Sequence, residues 1–188
     1  LAAVNDNTAV EFDASQTDSS SNTGNATQLT AVKDTVAPSV TVNAVSTINI
    51  SNVGTYTVTG SCTTSDRNVS YTISSPSGGT DATGLVSCSG SSWTTGVISL
   101  ASLTDDSAVE FDASQTDSNS NSGYATQENA VKDIIAPTIS SVTTAASGTY
   151  NNSSDVDFTI SFSESVRIAA GTKIDLDVGG TSKEAVCS

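Results

Sequence analysis

Residues Ala9–Pro38 read AVEFDASQTDSSSNTGNATQLTAVKDTVAP, and Ala108–Pro137 read AVEFDASQTDSNSNSGYATQENAVKDIIAP. The second stretch is the first displaced by 99 residues without a gap, so the chain is a tandem array whose unit is about a hundred residues. Each copy ends in Lys-Asp-x-x-Ala-Pro, at Lys33–Pro38 and Lys132–Pro137, which sets the boundaries beside the two prolines. The array divides into residues 1–37, the last part of a first unit; 38–136, a complete unit; and 137–188, the first part of a third unit of different sequence type. The chain opens on Leu1, inside a unit, and is expected to be a segment of a longer array.

Within a unit, apolar and polar residues alternate, as in Val10-Glu11-Phe12-Asp13 and Phe158-Thr159-Ile160-Ser161-Phe162, which is the period of half-buried strands. Seven short runs are predicted in the complete unit: Ser39–Val45, Gly54–Cys62, Val69–Ser74, Leu85–Cys88, Ser92–Ser99, Ser107–Thr116 and Tyr124–Val131. Separated by Gly, Ser, Asn and Asp turns, they match an immunoglobulin-like sandwich, with Trp93 expected between the sheets beside Phe111, Tyr56 and Val69. The fold class is therefore all-β, tandem immunoglobulin-like sandwiches, one complete and two partial. Pro38 opens the first run, where its missing N–H costs no ladder bond.

Composition narrows the partners. Twenty acidic residues stand against six Lys and Arg, a formal charge of -14, so the clustered cations that hold nucleic-acid phosphates are missing. No stretch approaches the apolar length of a membrane span. Three cysteines occur; Cys62 and Cys88 share the complete unit and read as a disulfide in an extracytoplasmic protein, which leaves Cys187 over. Three buried free thiols are the alternative.

The loop Gln-Thr-Asp-x-x-x-Asn-x-Gly at Gln16–Gly24 and Gln115–Gly123, followed by Lys-Asp-x-x-Ala-Pro, resembles the bacterial Ig-like repeats of large cell-surface adhesins. Gly60-Ser61-Cys62 with Cys88 and Ser91-Ser92-Trp93 looks like a cysteine-bearing variety of those repeats, and Phe162-Ser-Glu-Ser-Val166 like a second variety. The resemblance covers essentially the whole chain. It implies a surface or extracellular location and a calcium-binding loop, although Asp18-Ser-Ser-Ser-Asn22 and Asp117-Ser-Asn-Ser-Asn121 lack the Ala-Gly that usually precedes the Asn in that family.

In a sandwich the loops at one end meet the incoming linker. At the first junction this gathers Asp34, Asp117 with Asn121, and Asp66 with Asn68, with Asp6 of the preceding unit facing them; at the second it gathers Asp133, Asp105, Asp106 and Glu164. Carboxylate and amide oxygens converging on one spot suit calcium, a hard cation that takes six to eight oxygens. The alternative is ordinary turn chemistry, since Asp and Asn bond their own backbone in loops.

Catalysis has little support: the chain has no His, and its serines sit in turn-forming runs. Lys33 and Lys132 each precede an Asp and read as charge pairs at a solvated strand end rather than as crosslink sites. The function read from these features is a stalk or filament segment of a secreted bacterial surface adhesin, stiffened by calcium at the domain junctions. Its partners would be further repeats of the same chain, with a host or surface receptor reached through domains not present here. The alternatives are a ligand-binding module recognising a glycan or protein, and a subunit of a filament built by strand complementation.

Overall fold

The structure, a computed structural model, describes residues 4–6, 8–64, 67–144, 156–169 and 171–186. Every regular element among them is a strand. The chain divides into two compact units, residues 1–134 and 135–188.

In the first unit the repeated stretch folds into a hairpin twice, but differently. The first copy is broken into β1 (Ala9–Phe12), β2 (Ser15–Thr17), β3 (Thr23–Asn25) and β4 (Leu29–Val32), with β1 on β4 and β2 on β3. The sandwich that follows is built from β5 (Thr59–Ser61), β6 (Val69–Ser74), β7 (Ala82–Val86), β8 (Ser92–Thr94), β9 (Asp106–Thr116), β10 (Ser122–Tyr124) and β11 (Glu128–Lys132). Here the second copy's outgoing strand, β9, runs unbroken for 11 residues. The cause is its second neighbour: β6 pairs with β9 from Val69↔Gln115 to Ser74↔Glu110, holding the edge on which β1 and β2 have no partner among the described residues.

One sheet of the sandwich runs β7-β6-β9, with β10 and β11 sharing the far edge of β9. The other is β5 paired with β8, extended by the Tyr56↔Ile98 bridge. The run from Ser39 lies along β5, Thr41 N donating to Ser61 O at 3.0 Å and Asn43 N to Thr59 O at 2.9 Å. It then changes sheets through a parallel bridge from Ile48 to Lys132. Two antiparallel layers with a first strand that crosses between them are consistent with an immunoglobulin-like sandwich. The fourth run departs from expectation: β7 spans Ala82–Val86, set by its register on β6, and Cys88 has already left the ladder.

Alternation explains the core. Val69, Tyr71 and Ile73 of β6 face Val109, Phe111 and Ala113 of β9 inward, while Val40, Val42, Val58 and Trp93 supply the opposite layer. Phe111 is fully buried and tilts against Tyr56 at 5.9 Å between centroids. Trp93 stacks on Tyr71 at 6.5 Å, a partner the sequence reading omits, and its indole N–H donates to Thr41 O at 2.9 Å. Gly60 permits this approach, since a Cβ there would lie 1.9 Å from Thr41 O. Cys62 and Cys88 form a disulfide that ties the end of β5 to the turn before β8.

In the unit of residues 135–188, β12 (Ile139–Thr144) pairs with β13 (Phe158–Phe162), and β14 (Lys173–Val178) pairs with β15 (Thr181–Val186). Ile139, Phe158, Ile160, Phe162, Ile168 and Ile174 line an open apolar groove. Cys187 lies outside the described residues.

Candidate functional site at the linker between repeats

The loop joining β9 to β10 is organised by one carboxylate. Asp117 Oδ1 accepts the N–H of Asn119 at 2.8 Å and of Asn121 at 2.9 Å, and Oδ2 accepts the Asn121 side-chain amide at 2.7 Å. The same geometry recurs 99 residues earlier, where Asp18 holds Ser20 N at 2.9 Å, Asn22 N at 2.8 Å and Asn22 Nδ2 at 2.8 Å. In each loop one serine, Ser21 or Ser120, takes a left-handed backbone at φ 69° or 73°, the conformation such turns demand. Burial raises the Asp117 pKa, but the donors from Asn121, Asn119 and Ser120 outweigh it and the net shift is downward. At Asp18 the Asn22 amide is the main cause of a similar lowering.

The incoming linker docks on this loop. Asn119 Nδ2 donates to Asp34 Oδ2 at 2.7 Å, and Asn121 Nδ2 reaches the Asp34 carbonyl at 3.3 Å. Asp34 Oδ1 meanwhile accepts Val36 N at 3.0 Å. Gly123 closes the contact, because a Cβ there would meet Pro38 O at 1.9 Å. The Asp34 linker thus lies against the Asp117–Asn121 loop through the Asn119 and Asn121 amides. Asn119, which bridges the two carboxylates, was not anticipated; it sits mid-loop with nothing in its surroundings to mark it. Asp66 lies outside the described residues.

On the other side, Asp6 does not face the loop across a gap. It turns to its own repeat's exit: Thr35 donates to it through N at 3.1 Å and through its hydroxyl at 2.8 and 2.7 Å, and Lys33 lies 3.5 Å away. The Thr35 hydroxyl is the chief cause of a lowered Asp6 pKa. Ninety-nine residues on, Lys132 pairs with Asp105 Oδ1 at 2.5 Å and Ile134 N donates to Asp105 Oδ2 at 3.1 Å. The pairing of lysine with carboxylate is as expected, but the setting is not solvated: the Lys132 side chain is 1% exposed, against 21% for Lys33. The partner is also not the adjacent aspartate but one 27 residues back. Burial raises the Asp105 pKa, yet the bonds from Lys132 and Ile134 prevail and lower it. Asp106 points elsewhere, to the Ser77 hydroxyl and Ala108 N, the first being the main cause of its lowered pKa. Asp133 lies in the exit after β11. Glu164, in residues 135–188, has a buried Oε1 without a hydrogen-bond partner among the described residues.

Among the described residues, no group of three or more His, Cys, Asp or Glu is arranged to hold a metal. The oxygens available at the first junction are two carboxylates, Asp34 and Asp117, with the amide carbonyls of Asn119 and Asn121. Neither carboxylate is within ion-pair distance of a Lys or Arg among the described residues.

No family model and no curated protein matches the chain. Solved structures do. A tetra-tandem repeat from the extending region of a large adhesion protein matches at 20% identity and TM-score 0.48, covering 96% of this chain and 45% of that one. A 1.5-MDa bacterial ice-binding adhesin, studied for host cell surface retention, matches at 22% identity and TM-score 0.50, covering 99% and 62%. A Ca2+-stabilized adhesin that helps an Antarctic bacterium reach out and bind ice matches at 21% identity and TM-score 0.44, covering 95% and 46%. The chain spans less than two thirds of each of these structures, and the fold likeness rests on the ice-binding adhesin at TM-score 0.50. By fold, this chain is similar to a 1.5-MDa bacterial ice-binding adhesin.

Proposed function

We propose that the chain is a stalk segment of a secreted bacterial surface adhesin, with repeats at 1–37, 38–136 and 137–188 that hold a distal binding region away from the cell. The observation that carries this reading is the copy at 99 residues, folded twice into the same loop and the same lysine–aspartate latch at the repeat exit. Length grows by copying a unit that closes its own core, and the reach of such an array depends on its linkers. The disulfide suits an oxidising, extracellular setting. The partners of this segment are its neighbouring repeats; receptor binding belongs to other parts of the protein.

Calcium is assigned to the first junction, on Asp34, Asp117 and Asn121. Asp34 and Asp117 are bridged there by Asn119 and have no cationic partner among the described residues, and carboxylate oxygens are the hard donors calcium takes. At the second repeat exit Asp105 is already neutralised by Lys132. Calcium bound to the folded state stabilises it by mass action, by about 2.7 kcal/mol at a hundredfold excess over Kd. The unfolding midpoint, read from the single Trp93, is expected to rise between EDTA and millimolar calcium, and the rise is expected to vanish in Asp34→Asn. Equal midpoints in the two buffers would remove calcium from the account while leaving the stalk reading intact.

A further inference from the structure

The linker between Lys33 and Ser39 is bonded at almost every residue, and to both sides. Toward the preceding repeat, Lys33 donates to Val4 O at 2.6 Å and Thr35 is held through N and Oγ1 by Asp6. Toward the following repeat, Asp34 takes the Asn119 and Asn121 amides, Pro38 O rests on Gly123, and Ser39 N donates to Thr63 Oγ1 at 2.9 Å. Asp34 and Thr35 are adjacent in sequence yet bound to different repeats, so the chain cannot swing at that peptide without breaking one set of bonds. The donors on the downstream side are neutral amides, whose bonds need no cation.

From this geometry we propose that the linker is a two-sided clamp that fixes the angle between the 9–32 hairpin and the 38–134 sandwich with no metal bound. The inference rests on the stalk reading for its purpose, since a spacer that must reach requires stiff junctions, but not on calcium. Asp34 and Asn119 act as positioning residues for the downstream half, Asp6 and Lys33 for the upstream half. The upstream half recurs at the next exit, where Asp105, Lys132 and Ile134 N occupy the same places with Ile134 lacking the hydroxyl of Thr35. The clamp also gives the loop glycine a role: a Cβ at Gly24, its counterpart in the first copy, would meet nothing within 4 Å among the described residues, whereas Gly123 lies against the linker.

The test is the alignment of the two parts of the full chain by residual dipolar couplings, with EDTA and then with calcium. In EDTA the wild-type hairpin and sandwich are expected to share one alignment tensor. In Asn119→Ala and Asp34→Ala the hairpin's apparent order is expected to fall to about half or less, with the Trp93 unfolding midpoint unchanged to show that the sandwich is intact. Gly123→Ala, whose Cβ wedges against Pro38 O, is expected to do the same by a different route. Separate tensors for the wild-type in EDTA would overturn the clamp; if they merged only on adding calcium, the calcium reading would stand and the clamp would fall. Tensors that coincide in EDTA and stay unchanged with calcium keep the clamp and withdraw calcium stiffening.

Discussion

Phe111→Ala is expected to destabilise the sandwich by about 4 kcal/mol, and Phe12→Ala, in an identical stretch 99 residues earlier, by less than about 1 kcal/mol. The two phenylalanines sit in the same Ala-Val-Glu-Phe-Asp-Ala sequence. Their surroundings differ: Phe111 is 0% exposed between Tyr56 and the inner face of β6, and Phe12 is 50% exposed on a hairpin whose outer edge has no strand beside it among the described residues. Removing a buried ring costs the lost transfer free energy and leaves a cavity that the neighbours only partly fill. Removing a half-exposed ring does neither. Denaturant unfolding followed by Trp93 fluorescence reads the difference directly, because the chain's one tryptophan lies in the complete sandwich. Comparable costs at the two sites would mean that the first hairpin buries a core that the structure does not show.

The second pair of twins is electrostatic. Asp105→Ala is expected to cost about 3 to 4 kcal/mol, because it strands the Lys132 ammonium, 1% exposed, without its counter-charge. Asp6→Ala is expected to leave the Trp93 midpoint where it is, since Lys33 reaches solvent and also holds Val4 O. The pH dependence follows from the lowered Asp105 pKa. An Asp in the unfolded chain titrates near about 3.9, and the folded group titrates below that. The pair's contribution is therefore fully present above about pH 4 and is lost as pH falls through the folded value. The gap between wild type and Asp105→Ala is expected to narrow as pH falls through the folded pKa; a gap that does not change with acidification would assign the cost to something other than this ion pair.

Period and repetition made most of the architecture legible. The alternation around Phe111 names the inward face of β9, and the copy at 99 residues names the loop and the linker before any coordinates. What escaped is instructive in physical terms. A lysine beside an aspartate pairs locally by default, so sequence alone makes Lys132 a solvated end; its real partner comes from the loop before β9, which only the packed sheet brings within reach. Asn119 escaped because its role depends on a carboxylate 85 residues away. Alternation carries the fourth run on to Cys88, but the pairing that limits β7 to Val86 is decided by its register on β6. Even so, the signal for the latch was present: Asp6 with Lys33 and Asp105 with Lys132 share the 99-residue offset. Asp117 shows why turn chemistry and metal chemistry are hard to separate in sequence, since the same carboxylate that would bind a cation already holds three N–H groups of its own loop.

The central claim is that the sandwich is a self-contained load-bearing element, and pulling on the full chain from its two ends by single-molecule force spectroscopy tests it most directly. One dominant unfolding event is expected for residues 38–134. With the disulfide intact, the 26-residue separation between Cys62 and Cys88 stays closed, so reduction is expected to lengthen that event by about 90 Å at roughly 3.5 Å per residue. A gradual extension without a force peak, or a peak whose length ignores reductant, would contradict a stalk built from autonomous sandwiches.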